Sequence, residues 1–357
     1  MNFRQTHVLV SILLVPFVFL LSGCDDEPEL SAKANDFYHI EVDDAYLPVM
    51  VRGNTSSGIL LLYIQGGPGY PSIDFATIDY PQWKNTIEKD FAVVYYDQRG
   101  FGNKQGIADL KKMTMAQYTK DILYISKFLK TRYKDSKVIL FGHSWGGDLS
   151  YHYLLNHQSE GAIDALISIC GPATHDGDNV ALLRWDFRRS YLINVSDVFI
   201  DAGTDVDYWN EAKSWAIATN PIATEAEMKQ WNKYVAKAEK FTEGEIGVGA
   251  YIKVGFFSPY NIFQSLQYEL NDEVASALIQ DEIKTNIMND FDQITLPTLM
   301  IGSRFDDQAP LEELQYIFDG LGSTQKQFEI FHDAGHNVFL DDPVGFRNVV
   351  RDFCLGL

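Results

Sequence analysis

Residues Lys137 to Gly147, KVILFGHSWGG, constrain what this chain can fold into more than any other stretch. The apolar run Val138-Ile139-Leu140-Phe141 meets Gly142-His143-Ser144-Trp145-Gly146, and a helical stretch over Asp148 to Asn156 follows at once. A serine therefore sits on a sharp strand-to-helix turn, the G-x-S-x-G pattern of a nucleophile elbow. So tight a turn strains the serine backbone and leaves no room for side chains two residues before and two after it. That is the physical reason for Gly142 and Gly146.

The chain around the elbow alternates strand and helix. Phe37 to Val42, Leu47 to Arg52 and Ile59 to Gln65 read as strands, with Asn54 to Gly58 as the turn between the second and third. Phe91 to Tyr96 and Ala165 to Cys170 are further strands, Trp83 to Lys89 a short helix and Met115 to Arg132 a long one, with Ile122, Ile125 and Leu129 on one face. Near-continuously apolar strands are covered on both faces, and strands alternating with helices imply a mostly parallel sheet. The alternation stops at Gly171-Pro172. Several helices follow, the clearest over Glu225 to Phe241, with Thr224 and Glu227 as a capping box and Met228, Trp231, Val235, Ala238 and Phe241 on one face. Alternation resumes with a strand at Leu296 to Gly302, a helix from Pro310 to Phe318, a strand from Gln327 to Phe331 and a helix from Val344 to Phe353. The organisation expected is an α/β core over 36–172 and 290–357 with a helical cap inserted over 173–289. An insertion beyond the carboxyl ends of the strands lies where such sheets bind ligands, so it would act as a lid.

The bulk numbers fit that reading and exclude one class of partner. At 357 residues, 46% hydrophobic and 22% charged, the chain can bury a large core. A formal charge of −20 and a pI near 4.7 argue against nucleic acid, whose phosphates need a basic face. The first residues read as a targeting segment. Arg4 is followed by the almost wholly apolar Val8 to Leu21 and then by Leu21-Ser22-Gly23-Cys24. This resembles a bacterial lipoprotein signal: residues 1–23 would be removed and Cys24 would carry the lipid, holding the protein to a membrane of the cell envelope. Asp25, Asp26, Glu27, Pro28 and Glu29 begin an acidic tether over 24–35. Cys170 and Cys354 are expected as buried free thiols.

A serine hydroxyl needs a general base, an orienting acid and an oxyanion hole to act as a nucleophile. Candidates follow Ser144 in the order acid, base. Ser303-Arg304-Phe305-Asp306 puts a carboxylate just past a strand, and His332-Asp333-Ala334-Gly335-His336-Asn337 puts an imidazole past the last one. Asp306 is assigned as orienter, with Asp307 as its rival, and His336 as base, with His332 read as structural. His143, beside the nucleophile, is read as pointing away from the site, in a packing or supporting role. His332 and His336 are four apart, a metal-ligand spacing on a helix, but Gly335 and the preceding strand make a helix improbable there, so no metal is expected. Gly244-Glu245-Ile246-Gly247-Val248-Gly249 follows no strand, so no nucleotide cofactor is expected either. The oxyanion donors assigned are the amide of Trp145, which follows the nucleophile, and that of Gly67 in Gly66-Gly67-Pro68-Gly69, the loop after the third strand.

Gln65-Gly66-Gly67-Pro68-Gly69, Asp97-Gln98-Arg99-Gly100-Phe101-Gly102, Gly142-His143-Ser144-Trp145-Gly146-Gly147, Arg304-Phe305-Asp306 and Gly335-His336, in this order, resemble the prolyl iminopeptidase family of α/β hydrolases. The resemblance implies an α/β-hydrolase fold, the triad Ser144, Asp306 and His336, and release of N-terminal residues, proline among them, from short peptides through an acyl-enzyme. The chain departs from the family at Gln65, where the family has histidine, and at Asn103-Lys104, where it has a serine. The family's Trp-Glu motif in the cap has no counterpart, which leaves Glu211, Glu243, Glu245 and Glu269 as candidate cap acids. An ester hydrolase or other amidase with the same triad, or a lipoprotein that binds a ligand without catalysis, stays open at this point.

Overall fold

The structure, a computed structural model, describes residues 30–69, 72–80, 82–101, 109–175, 181–222, 224–239 and 271–357. Cys24, the start of the tether, Asn103-Lys104, the 244–249 stretch and Glu243, Glu245 and Glu269 lie outside them. Eight strands form one sheet: β1 (Ala34–Val42), β2 (Ala45–Gly53), β3 (Ile59–Ile64), β4 (Ala92–Tyr96), β5 (Lys137–His143), β6 (Ala165–Ile169), β7 (Thr298–Ser303) and β8 (Lys326–Phe331). Their order is β1-β2-β4-β3-β5-β6-β7-β8, with the first two pairings antiparallel and the rest parallel. β1 takes in Ala34 and Asn35, which the sequence reading leaves in the tether, because both pair with the end of β2.

The central strands are apolar throughout because both of their faces are covered. Every residue of β3, β4, β6 and β7 is buried. Successive side chains alternate between faces. On one face Tyr63 and Phe141, paired across β3 and β5, meet Trp83 at ring-centroid distances of 4.8 and 5.0 Å, and Trp83 stacks on Phe346 of the last helix at 6.4 Å. On the other face Tyr151 of the helix after the elbow reaches the Ser168 hydroxyl at 2.7 Å. The helices of the core are α1 (Ser72–Thr77), α2 (Ile87–Asp90), α3 (Met115–Arg132) and α4 (Trp145–His157). After the insertion come α9 (Leu311–Gly320), α10 (Val338–Asp341) and α11 (Pro343–Gly356). The expected helix at Trp83–Lys89 divides into a 3-10 turn at Trp83–Asn85 and α2.

Between β6 and β7 lie α5 (Ala181–Asp201), α6 (Val206–Ala218), α7 (Glu225–Ala238) and α8 (Asn271–Glu282). α5 to α7 build a cluster of their own, in which Trp185, Tyr191, Trp209, Trp231 and Tyr234 are buried and Phe199 stacks on Trp209 at 4.4 Å. The capping box of α7 forms as its sequence predicts: the Thr224 amide donates to Glu227 Oε2 at 2.9 Å and the Glu227 amide to Thr224 Oγ1 at 3.2 Å. Met228 is exposed instead of facing the cluster, and Tyr234 takes the fourth buried place beside Trp231, Val235 and Ala238. α8 differs from its neighbours: Val274 and Leu278 are buried in the main core cluster. The chain leaving β6 is held by the buried Glu313 of α9, whose Oε1 accepts from the amides of Ala173 and Thr174, both at 2.8 Å. Both Cys170 and Cys354 are buried and unpaired. Among the described residues no helix is long and apolar enough to cross a membrane.

Candidate active site

Sheet register brings the motifs to one edge. Ile64 of β3 pairs with Gly142 of β5, so the loop after β3 and the elbow emerge side by side. Ser303 of β7 pairs with Phe331 of β8, so the acid and the histidine loops also emerge side by side.

Ser144 takes φ 56° and ψ −129°, a left-handed conformation that costs a residue other than glycine on the order of 1–3 kcal/mol. Close approach explains both flanking glycines. A Cβ at Gly142 would lie 2.4 Å from the Gly146 carbonyl oxygen, and one at Gly146 would lie 1.9 Å from that of Ile64. Helix α4 thus starts hard against the ends of β3 and β5. The loop after β3 reaches the serine itself: a Cβ at Gly66 would stand 2.8 Å from Ser144 Cβ and 3.3 Å from its Oγ. Gly67 has φ 124° and precedes a cis peptide to Pro68.

Asp306 and His336 meet. His336 Nδ1 and Asp306 Oδ2 are 2.8 Å apart, with the carboxylate fully buried and the imidazole 10% exposed. Asp306 Oδ1 accepts from the amides of Gln308 at 2.9 Å and Ala309 at 3.1 Å, so both oxygens are engaged and the side chain is fixed. The two loops are sewn together around the pair. Arg304 donates its amide to the Phe331 carbonyl, Phe305 to that of Ala334, and the Ser303 hydroxyl to that of Gly335, at 3.0, 3.1 and 2.7 Å. Asp341 of α10 accepts the Gly335 amide at 2.8 Å.

His143 joins the elbow to this pair. Its ring lies 4.9 Å from that of His336, and its Nε2–H donates to the His336 carbonyl at 3.2 Å. Burial, reinforced by the neighbouring His336, pushes the His143 imidazole down to about 3, so it stays neutral and adds no charge beside His336. His143 therefore does not point away from the site, as the sequence led us to expect; it packs against His336 and holds its backbone.

The rivals separate by geometry. Asp307 does not carry the bond to His336; burial first, then the charge of Asp306, pushes its carboxyl up to about 6, with Arg188 opposing and Glu239 of the cap adding to the rise. His332 points elsewhere and sits 2.7 Å from Arg304 Nη2. Glu211 is exposed and accepts from the Tyr234 hydroxyl at 3.3 Å. Arg99 of the DQRG stretch is a structural tie, donating to both oxygens of the buried Asp121 at 2.7 and 2.9 Å. Sequence reading missed Ser303, Asp341 and Glu313, whose partners are 6 to 140 residues away. It also missed Asp148, four residues before His152 on α4, a spacing that could have marked it.

This arrangement of sheet, elbow and loops is that of an α/β hydrolase. The profile of the alpha/beta hydrolase fold family matches residues 59–343, and the chain belongs to that family. Within that family the chain is similar to proteins named as an aminopeptidase and as proline iminopeptidases. It is similar to a probable aminopeptidase, YbaC, of Bacillus subtilis, at 34% identity over 107 residues, 30% of this chain and 32% of that protein. That match therefore spans about a third of the relative's length. A proline iminopeptidase of Flavobacterium johnsoniae is 22% identical over 315 residues, 84% of this chain and 93% of that protein. The crystal structure of a proline iminopeptidase of Mycobacterium smegmatis superposes with a TM-score of 0.60 at 16% identity, covering 90% of this chain and 98% of that one. At that identity the likeness concerns the fold.

Proposed function

We propose that this chain is a serine hydrolase that cleaves amide bonds through an acyl-enzyme, and that it acts as an aminopeptidase releasing N-terminal residues, proline among them, from short peptides. The observation that carries the chemistry is the 2.8 Å bond between Asp306 and His336, beside a serine held at φ 56°. Asp306 accepts the Nδ1 proton of His336, which leaves Nε2 as the basic nitrogen. His336 takes the Ser144 proton as Oγ attacks the substrate carbonyl, and the amides of Trp145 and Gly67 receive the oxyanion. The same proton then passes to the leaving amine as the C–N bond breaks, and water attacks the acyl-enzyme with His336 again as base.

The relatives named above favour the aminopeptidase reading. A panel of aminoacyl-nitroanilides and acyl esters tests it. Turnover of the nitroanilides, with Pro first, and its loss in Ser144→Ala are expected; turnover of esters alone would give the ester hydrolase instead. Failure of a fluorophosphonate to label Ser144 would leave a non-catalytic binder. We further propose that Cys24 carries a lipid anchor at a membrane of the cell envelope, on the motif Leu21-Ser22-Gly23-Cys24. Partition of the full chain into a detergent phase should be lost in Cys24→Ala, and unchanged partition would remove the anchor.

A further inference from the structure

A second cluster of ionisable side chains lies beside α4, apart from the triad and unused by the chemistry above. Asp148, in the first turn of α4, is 0% exposed, and its Oδ2 lies 3.5 Å from His175 Nε2 and 3.8 Å from His152 Nε2. Glu282, the last residue of α8, is 1% exposed, and its Oε1 lies 3.5 Å from the same His175 nitrogen. One donor atom from each of Asp148, His175 and Glu282 falls within 4.8 Å of the others. Neither oxygen of Asp148 accepts a hydrogen bond of ordinary length and angle; the nearest donors are the His175 and His152 nitrogens, at 3.5 and 3.8 Å. A wholly buried carboxylate in that condition calls for another ligand, because native structures satisfy such groups. Two buried carboxylates side by side also repel, and a cation between them removes the penalty.

We propose that Asp148, His175 and Glu282 form a binding site for a divalent transition-metal ion, with Zn2+ as the ion that fits best. Ligand atoms about 2.1 Å from zinc at the corners of a tetrahedron stand about 3.4 Å apart. The two imidazole-to-carboxylate separations here are both 3.5 Å. An imidazole in the set selects against Ca2+ and Mg2+, which take oxygen ligands. Three protein ligands leave the fourth corner to water, and the 20% exposed side chain of His175 marks the side open to solvent. His152 is an outer partner that orients the Asp148 carboxylate. Glu282 Oε1 also accepts the Trp145 indole N–H at 2.7 Å. The site therefore adjoins the side chain of the residue after Ser144, although the proposal stands without any claim about catalysis. Linear spacing does not reveal it, since its members come from α4, the exit of β6 and α8.

The full chain, stripped with EDTA, is titrated with zinc chloride by calorimetry, and its melting is followed with and without the ion. One site per chain and a raised melting temperature are expected. Asp148→Asn, Glu282→Gln and His175→Gln should each weaken zinc binding by about 100-fold or more, while His332→Gln, at an exposed histidine, should leave it unchanged. Where a buried-carboxylate variant does not fold, the partly exposed His175→Gln decides. Absence of binding heat and of a melting shift in the wild type overturns the proposal, as does equal zinc affinity in wild type and His175→Gln. Binding of Ca2+ or Mg2+ in preference to Zn2+ overturns the choice of ion.

Discussion

Asp306→Asn tests the proposed triad with the change of one atom. Oδ2 of Asp306 serves His336 Nδ1 at 2.8 Å, while Oδ1 serves two backbone amides, Gln308 at 2.9 Å and Ala309 at 3.1 Å. Asparagine has one accepting oxygen and one donating NH2. With its oxygen kept on the two amides, the NH2 faces Nδ1, which must then present its lone pair. The imidazole proton moves to Nε2, the nitrogen that should receive the serine proton, and the base is blocked. Flipping the asparagine restores the tautomer but points NH2 at two N–H donors. Losing those two bonds, with the Ala309 donor left buried, costs about 2–5 kcal/mol. At about 1.4 kcal/mol per tenfold, the productive arrangement is populated roughly 30-fold to several thousand-fold less than in the parent, and kcat should fall by that factor. The assay is kcat on the best substrate of the panel, with the rate of fluorophosphonate labelling as a second readout and the melting curve as a check on folding. A folded Asp306→Asn enzyme that keeps more than about a third of its kcat would refute the tautomer argument.

Three further outcomes follow from other contacts. Gly66→Ala places a methyl 2.8 Å from Ser144 Cβ, and Gly66 is not in the left-handed region, so the effect is local: activity should drop about 100-fold with little change in melting, and an active variant would separate the loop from the nucleophile. Asp307 has its carboxyl raised to about 6, so the folded state holds its proton more tightly than the unfolded chain. That contribution is present below the unfolded value near 3.8 and is lost as pH rises through about 6, so Asp307→Asn should raise the melting temperature at pH 7.5 relative to wild type and not at pH 3.5; equal shifts at both would contradict it. Trp231, 2% exposed and 5.9 Å from the Trp185 ring, anchors the cluster of α5 to α7, and Trp231→Ala should cost about 3–5 kcal/mol there. A new low-temperature transition is expected, and an unshifted melting curve would contradict it.

The legible parts of the molecule are those whose physics is local. Strands such as Ile59–Ile64 and Ala165–Ile169 could be read because burial on both faces demands apolar residues at every position. Ser144 and Gly142 could be read because their side of the elbow is a contact of the chain with itself four residues away, whereas the reason for Gly146, the Ile64 carbonyl of β3, lies 82 residues off. The strand order was not legible: β4 lies between β2 and β3, and no side-chain pattern in the three announces it. Met228 misled because helical period alone does not say where a partner surface ends, and the cap's cluster stops one turn short of it. Asp148 and Glu282 were invisible as a pair because 134 residues separate them, and a buried acid in the sequence looks like any solvated one.

One residue shows why the cap cannot be treated as a passive lid. Phe305 lies immediately before Asp306, on the loop after β7, yet its 2% exposed side chain belongs to the cluster of α5 to α7, with its ring 6.0 Å from that of Phe199. Its backbone amide meanwhile donates to Ala334, two residues before His336. A single residue therefore has its side chain in the cap and its backbone in the hydrogen bonds that hold acid and base together. Dense interiors transmit displacement because neighbouring side chains have no free volume to absorb it. Asp306 moves with its own loop, since its Oδ1 partners are two and three residues away, so a shift of Phe305 is felt at the 2.8 Å contact to His336, a bond that leaves the loop. In the proposed mechanism, any change of cap packing that accompanies substrate entry is thereby coupled to the orientation of His336, and changes in the cap should alter kcat as well as KM.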